Sequence, residues 1–409
     1  MARTRSTTSS LPRPILLTSV GVLARHIPPA AIDAVLAEHG KQGERDRLLP
    51  APFLVYLIVA LSLYMPTALR EVLRCVLEGL RGLRAARVPL PPVATKGAIS
   101  RARTRLGWEV LAALFLRVAR PLATPRTRGA WYKEWRLLAL DGTTLALPYS
   151  AENEAAFGSH PSREGEGAFP LLKLVALVEV GTHAVVRVAF DACAQAEIVL
   201  AEQLLAGLGA GMLVLEDRGF VGYEWFRQVR ATGAEVLCRL RVNMRLPMRR
   251  RLADGSFLSV LTPPVGSDGA PIPVRVIEYT LRGVPDAEPV YRLVSSLLDP
   301  EIAPARELAA LYHERWEAEG AFDEFKTHVR GGAHIRLRSK TPELVRQEVY
   351  GLLLAHYVVR AVMHDAALQA EEDPDRISFV HTVRVLRRKL PEAADFSPSE
   401  AETALPANN

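Results

Sequence analysis

Tyr312, Arg315, Glu319 and Lys326 follow one another at the spacing Y-x2-R-x3-E-x6-K. Steps of three, four and seven residues return side chains to one face of a helix with about 3.6 residues per turn. One carboxylate is then flanked by a guanidinium, an ammonium and a phenol. Arg315 is suited to grip a phosphate bidentately, Lys326 to add a point charge, and Tyr312 to offer a hydroxyl or a stacking face. The plain alternative is ion pairing with Glu314, Glu317, Asp323 or Glu324, which is most open for Lys326.

Two acids upstream supply what a metal site needs. Asp141 ends the apolar run Leu137-Leu-Ala-Leu-Asp141, and Asp217 ends Met212-Leu-Val-Leu-Glu-Asp217. Each is followed by a glycine-containing turn, Asp-Gly-Thr-Thr and Asp-Arg-Gly-Phe. In an open α/β sheet, ligands collect beyond the carboxyl ends of the strands. If those strands are neighbours, their anions repel and raise each other's pKa unless a cation neutralises them. Mg2+ takes such oxygen ligands and keeps positions for water and phosphate oxygens. With Glu319 completing the set, two ions about 3.5–4 Å apart can activate a nucleophile and stabilise a leaving oxygen in phosphodiester chemistry. Either aspartate alone reads as an ordinary turn residue. Combined with the 312–326 helix, they point to a nuclease-like enzyme acting on DNA.

The elements that must position these groups are legible in outline. Residues 1–14 read as a disordered tail and 15–125 as a helical domain, with helices over 32–38, 53–63, 68–80 and 96–118. Within it Lys96, Arg101, Arg103 and Arg105 surround one short helix, presented either to DNA phosphates or to solvent. From residue 130 strands begin: 137–141, 171–180 and 184–190, a helix over 194–208, a strand over 212–217, a helix over 223–230 and a strand over 234–240. The order β-β-β-α-β-α-β predicts an α/β layer of three meandering strands with parallel additions. Residues 241–300 read as a β-rich insertion. Helices resume over 303–329, 342–368 and 378–389, the last lying in a C-terminal stretch, 371–409. The run Arg239, Arg241, Arg245 and Arg249-Arg-Arg251 carries no acid and is either a DNA-backbone contact or a solvated edge.

Bulk composition agrees with a chain of two or three domains: 409 residues, 49% hydrophobic and 23% charged. A net charge of +6 favours a polyanionic partner only weakly. Lysine occurs seven times, so the arginine bias reflects genome composition as readily as function. Cys75, Cys193 and Cys238 match no zinc or disulfide spacing and fit a reducing cytoplasm. The strongest apolar run, 51–65, is shorter than the roughly 20 residues a membrane span needs. Gly207-Leu-Gly-Ala-Gly211 follows a helix and precedes a strand, the wrong order for a nucleotide loop. Asp191 and Glu197 read as loop and helix-start residues, and the scattered histidines as unneeded for catalysis.

Three blocks carry a family resemblance: Leu138-Ala-Leu-Asp-Gly-Thr-Thr144, Leu213-Val-Leu-Glu-Asp-Arg-Gly-Phe-Val-Gly-Tyr223, and the Tyr312-to-Lys326 segment. The sequence resembles transposases of the insertion-sequence-four type, which are DDE recombinases whose RNase H-like core is interrupted by a β-rich insertion. The likeness covers roughly residues 15–390. It implies a core in two parts, 130–240 and 301–370, behind a DNA-binding helical domain. Asp141, Asp217 and Glu319 become the metal-binding triad for Mg2+, with Mn2+ as a substitute. Tyr312, Arg315, Lys326 and Arg218 become phosphate contacts, with Arg101, Arg105, Arg239, Arg241, Arg245 and Arg249 as further DNA contacts. The implied partners are double-stranded DNA, both element ends and target, and a second copy of the chain on paired ends. The implied location is the cytoplasm, at the nucleoid. One departure is that no tryptophan lies between Trp225 and Trp316, where some relatives stack one on a flipped base; Tyr279 and Tyr291 are the available substitutes. A nuclease without joining activity and a catalytically silent DNA-binding protein are the competing readings.

Overall fold

The computed structural model describes residues 21–42, 49–78, 93–159, 169–281, 288–330, 332 and 335–389. The expected N-terminal tail and the end of the chain lie outside these residues. Among the described residues six helices open the fold: α1 (Gly21–His26), α2 (Pro29–Glu38), α3 (Ala51–Leu63), α4 (Leu69–Glu78), α5 (Lys96–Leu106) and α6 (Glu109–Val118). α3 is apolar all round and buried from Phe53 to Leu63, as a helix enclosed on every side must be. The single helix expected over 96–118 is two. Gly107 ends α5 at φ +83, a left-handed conformation that glycine adopts without a Cβ penalty.

The sheet begins with β1 (Trp131–Tyr132) and β2 (Trp135–Ala146), and a short helix α7 (Ala151–Phe157) that periodicity did not reveal. There follow β3 (Leu171–Glu179), β4 (Ala184–Ala192), α8 (Glu197–Glu202), β5 (Met212–Glu216), α9 (Tyr223–Ala231) and β6 (Glu235–Arg239). The region 241–300 adds β7 (Arg250–Arg251), β8 (Phe257–Leu261), β9 (Ile272–Tyr279) and β10 (Tyr291–Ser295). β2, β3 and β4 form an antiparallel meander, while β5 joins β2, and β6 joins β5, in parallel. β10 pairs with β6. The β-rich region therefore prolongs the same ten-stranded sheet, in the order β4-β3-β2-β5-β6-β10-β9-β8-β7. The fold is mixed α/β, with a large sheet flanked by helices.

The segment 305–329 is helical throughout but changes its winding. It runs as α10 (Ala305–Leu311), a 3-10 stretch (Tyr312–Trp316), α11 (Glu317–Asp323) and a π stretch (Glu324–Val329). Its start is tied to the sheet by Arg275 of β9, fully buried and paired with Asp254. Arg275 Nε donates to Ser256 Oγ at 2.8 Å, and Asp254 Oδ2 accepts the Ala305 N–H at 2.9 Å. Behind lies the longest helix, α12 (Pro342–Ala370), followed by α13 (Phe379–Lys389). α12 packs against α3, α6 and β4, so the N-terminal helices share its core. The approach to α3 is close at Gly351, where a Cβ would stand 2.8 Å from Ile58 Cγ2.

Candidate active site

β2 does not end at Asp141, as expected, but continues against β3 to Ala146. Its parallel partner β5 does end there: Leu140 stands opposite Glu216, and the next pair along would be Asp141 and Asp217. Both acids thus emerge where the β2–β5 ladder opens, the location where parallel sheets collect ligands. Glu216, one residue earlier, faces the other way by strand alternation. It is buried, accepts from Trp225 Nε1 at 3.0 Å, and burial pushes its carboxyl up to about 8. Glu216 is consequently a buried core group, turned away from Asp141 and Asp217.

Arg315 joins the sheet to the helix. Its guanidinium donates to Asp141 Oδ2 at 2.8 Å and to Glu319 Oε1 at 3.2 Å. Burial pushes Asp141 up to about 6; Arg315 and the Gly142 N–H oppose that shift, and Asp217 and Glu319 add to it. Asp141 thus senses both other acids. Asp217 is pinned through its Oδ1, which accepts the Gly219 N–H at 2.6 Å, and through its carbonyl, which accepts from Cys238 Sγ at 3.2 Å. Glu319 is 48% exposed, so its long side chain retains rotamer freedom. Among the described residues the three carboxylates do not all approach within 4.8 Å of one another. A cation bridges two of them, and that cation is Arg315.

Tyr312 is buried and its hydroxyl donates to the Glu216 carbonyl at 3.1 Å. It braces the strand end that carries Asp217 rather than facing outward. Lys326 Nζ donates to Thr143 Oγ1 at 2.7 Å, and burial, with Arg330 adding, holds its ammonium below the usual range. The winding explains these reaches. In the 3-10 stretch, positions three apart eclipse, so Tyr312 and Arg315 share a side. The π stretch shifts the register of its own residues relative to α11, sending Lys326 to β2 and Glu324 to α12. Among the described residues neither Arg315 nor Lys326 pairs with Glu314, Glu317, Asp323 or Glu324.

The remaining arginines divide by partner. Arg241 donates to the carbonyls of Arg218 and Gly219 at 3.1 and 3.2 Å, clamping the loop after Asp217. Arg239 pairs with Glu288 at 2.7 Å and covers the Tyr291 ring. Arg218 is exposed, 3.7 Å from Glu288. Arg103 of α5 turns inward to Gln347 and Ser339, whereas Arg101 and Arg105 are exposed. Arg245, Arg249, Arg250 and Arg251 are exposed and form no ion pair among the described residues. Tyr279 and Tyr291 stack on each other at 5.4 Å, with His313 edge-on to Tyr279.

Two neighbours escaped sequence reasoning. Thr143 receives Lys326, and only its place in the Asp-Gly-Thr-Thr turn could have hinted at that. Glu197 begins α8, as read from sequence, and its carboxylate also lies against Gly142. A Cβ on Gly142 would stand 2.8 Å from Glu197 Oε1. A further acid thus lies against the residue after Asp141, on the opposite face of β2, and the lack of a side chain at Gly142 is what admits it.

Comparison with known proteins gives consistent results. The profile for the insertion element 4 transposase N-terminal region matches residues 17–116, and the transposase DDE domain matches residues 133–358. Transposase InsG for insertion sequence element IS4, from Escherichia coli (strain K12), is 30% identical over 396 residues. That match covers 93% of this chain and 85% of the relative. The putative transposase InsZ of the same organism is 25% identical over 203 residues, covering 49% of this chain and 64% of that protein. Among solved structures, the cryo-EM structure of the piggyBac transposase synaptic complex with hairpin DNA aligns with a TM-score of 0.48 at 12% identity. It covers 94% of this chain and 84% of that one.

Proposed function

Because the chain belongs to the insertion element 4 family of DDE transposases, enzymes of DNA cleavage and strand transfer, we propose that Asp141, Asp217 and Glu319 are its catalytic triad. The strands β2 to β6, with α11 and α12, form an RNase H-like core, and β7 to β10 are its insertion. The substrate is double-stranded DNA: the element's terminal inverted repeats, then a target. The observation that carries this is the Arg315 bridge between Asp141 and Glu319. It brings Asp141 and Glu319 to one cation, Arg315, which lies 174 positions from Asp141 in the chain.

The donor set fits the divalent ion that a DDE domain implies, with Mg2+ proposed here and Mn2+ as its substitute. It is all oxygen, it carries more negative charge than one guanidinium offsets, and its third member can move. Bound there, divalent ions polarise phosphoryl oxygens and lower the pKa of the attacking water or hydroxyl. The chain's own residues do the rest. Asp141 and Asp217, fixed by backbone N–H groups, would hold the ion as rigid ligands, with Glu319 of α11 as the third. Arg315, seated between Asp141 and Glu319, would offer its planar fork to a phosphate. Lys326, held by Thr143, adds a point charge close by. Tyr312 keeps the Asp217 strand end in register.

The helices over 21–118 and the exposed Arg101, Arg105, Arg245 and Arg249 to Arg251 are proposed to track DNA phosphates, with a dimer on paired ends. Among the described residues no helix is long and apolar enough to cross a membrane. The test uses the element's flanking inverted repeats with purified protein and Mg2+. Asp141→Asn, Asp217→Asn and Glu319→Gln each remove cleavage by a factor on the order of 10^3 or more, while band shifts with end DNA persist. Loss of binding in all three would sink the reading. Pre-cleaved ends with a supercoiled target yield joined product only if strand transfer is intact, which separates a transposase from a plain nuclease.

A further inference from the structure

The helical segment carries a second set of ligand-type side chains, and none of them serves the triad. Residues two apart on a helix do not share a face, so Glu317 points away from Glu319. Its Oε2 accepts the Gly181 N–H and lies 3.6 Å from His183 Nε2. The same Nε2 lies 3.6 Å from Oδ1 of Asp375, in the 3-10 turn Pro374–Arg376 that leads to α13. The three ligand atoms all lie within 4.8 Å of one another, and this is the one such group among the described residues. They open on a cavity of about 640 Å³, also lined by Trp316, Glu324, Arg360 and Phe379.

From these residues we propose a divalent transition-metal site, separate from the triad, with His183 Nε2, Glu317 and Asp375 as ligands and Zn2+ as the fitting ion. Imidazole nitrogen with carboxylate oxygens is a zinc donor set, and bonds of about 2.0–2.2 Å at tetrahedral angles separate donors by about 3.3–3.6 Å. Both recorded donor separations are 3.6 Å. Behind the histidine, Nδ1 faces Glu324 Oε1 at 3.2 Å and also the Arg360 guanidinium. Loading Nε2 places the proton on Nδ1 and selects the Glu324 contact, the carboxylate–histidine–metal arrangement that orients such ligands. Glu317, Asp375 and Glu324 against Arg360 leave two negative charges when ionised, which a divalent ion cancels.

The backbone supports the same reading. His183 sits at φ +53 in the β3–β4 turn, uncommon for a residue with a side chain. It follows Gly181, where a Cβ would strike Ala130 N at 2.7 Å. The Asp375 turn is fixed by Asp373 Oδ1, which accepts the Asp375 N–H at 3.1 Å. Asp375 is 41% exposed, giving the ion a way in. A metal here ties the β3–β4 turn and the approach to α13 to the turn of α11 that carries Glu319.

The experiment loads full-length protein with Zn2+ after chelator treatment, in an Asp141→Asn/Asp217→Asn background that silences the triad. Bound zinc is counted by mass spectrometry after dialysis, and Co2+ is added as a spectroscopic probe. One Zn2+ per chain and a Co2+ d–d band are expected in the background protein. Affinity falls at least tenfold on adding Asp375→Asn or His183→Asn, the latter chosen because asparagine tolerates the left-handed conformation. Metal-free melting of each variant checks folding, and either folded variant suffices. No bound zinc in the background protein overturns the site. So does zinc retained undiminished in both variants, or zinc held only when Asp141 and Asp217 are intact, which assigns it to the triad instead.

Discussion

One turn of helix feeds two carboxylate clusters that differ in what balances them. On the Glu319 side, Arg315 stands between Asp141 and Glu319, and Lys326 is anchored nearby on Thr143. On the other side, Glu324 is enclosed by Arg360, His356 and His183, while among the described residues Glu317 and Asp375 form ion pairs with the histidine alone. Burial works against the Glu324 charge, yet hydrogen bonds from His183 and His356 and the charge of Arg360 outweigh it and hold its carboxyl far below the usual range. Burial instead pushes Asp141 up to about 6. The contrast separates one carboxylate whose charge is settled by its own neighbours, Glu324, from acids left short of positive charge, the triad on one side and Glu317 with Asp375 on the other. The first arrangement stabilises; the second is the kind proposed to bind metal.

The comparison breaks most visibly at Glu324. Glu324→Gln leaves Arg360 buried without its carboxylate, and urea unfolding at neutral pH is expected to show a loss of about 3–5 kcal/mol. Since the folded pKa lies below the unfolded value of about 4.3, this contribution is present above that value. It fades as pH falls further, toward the folded pKa. The variant's deficit should therefore shrink in acid. A deficit equal at neutral and acidic pH would mean the charge is not what matters.

A smaller effect sharpens the Asp141 side. Without divalent ions, its carboxyl carbon should titrate near pH 6 by NMR, and its ionisation costs stability as pH rises from the unfolded value toward the folded one. Adding Mg2+ should carry that titration to lower pH. An unmoved curve would remove Asp141 from the metal set. The smallest change concerns Tyr312: Tyr312→Phe deletes the hydrogen bond to the Glu216 carbonyl, at about 1 kcal/mol. End-DNA affinity should stay within a factor of about two, far from the factor of ten that about 1.4 kcal/mol represents. A tenfold loss would return the hydroxyl to phosphate binding.

Much of this architecture is legible in the residues themselves. The meander of β2, β3 and β4 followed by β5 and β6 is visible as apolar runs separated by turn residues, because strand identity is set by local pattern. The break at Gly107 is present as a lone glycine but not distinguishable from one tolerated inside a helix. The joining of β10 to β6 is not legible, since alternation marks a strand without naming its neighbour. Arg103 looks like its neighbours Arg101 and Arg105, and only α12 makes it a core residue.

The sequence alone determined the family, the two aspartates that follow apolar runs and the four-residue signature on the helix, all of them patterns local in the chain. Tertiary structure alone decided the change of winding through 312–329 and the sharing of Arg315 between Asp141 and Glu319. It also decided the assignment of Glu317 to a different cluster from Glu319. Those outcomes depend on groups far apart in the chain meeting after folding, as Arg315 meets Asp141, and local periodicity carries no information about which partner arrives.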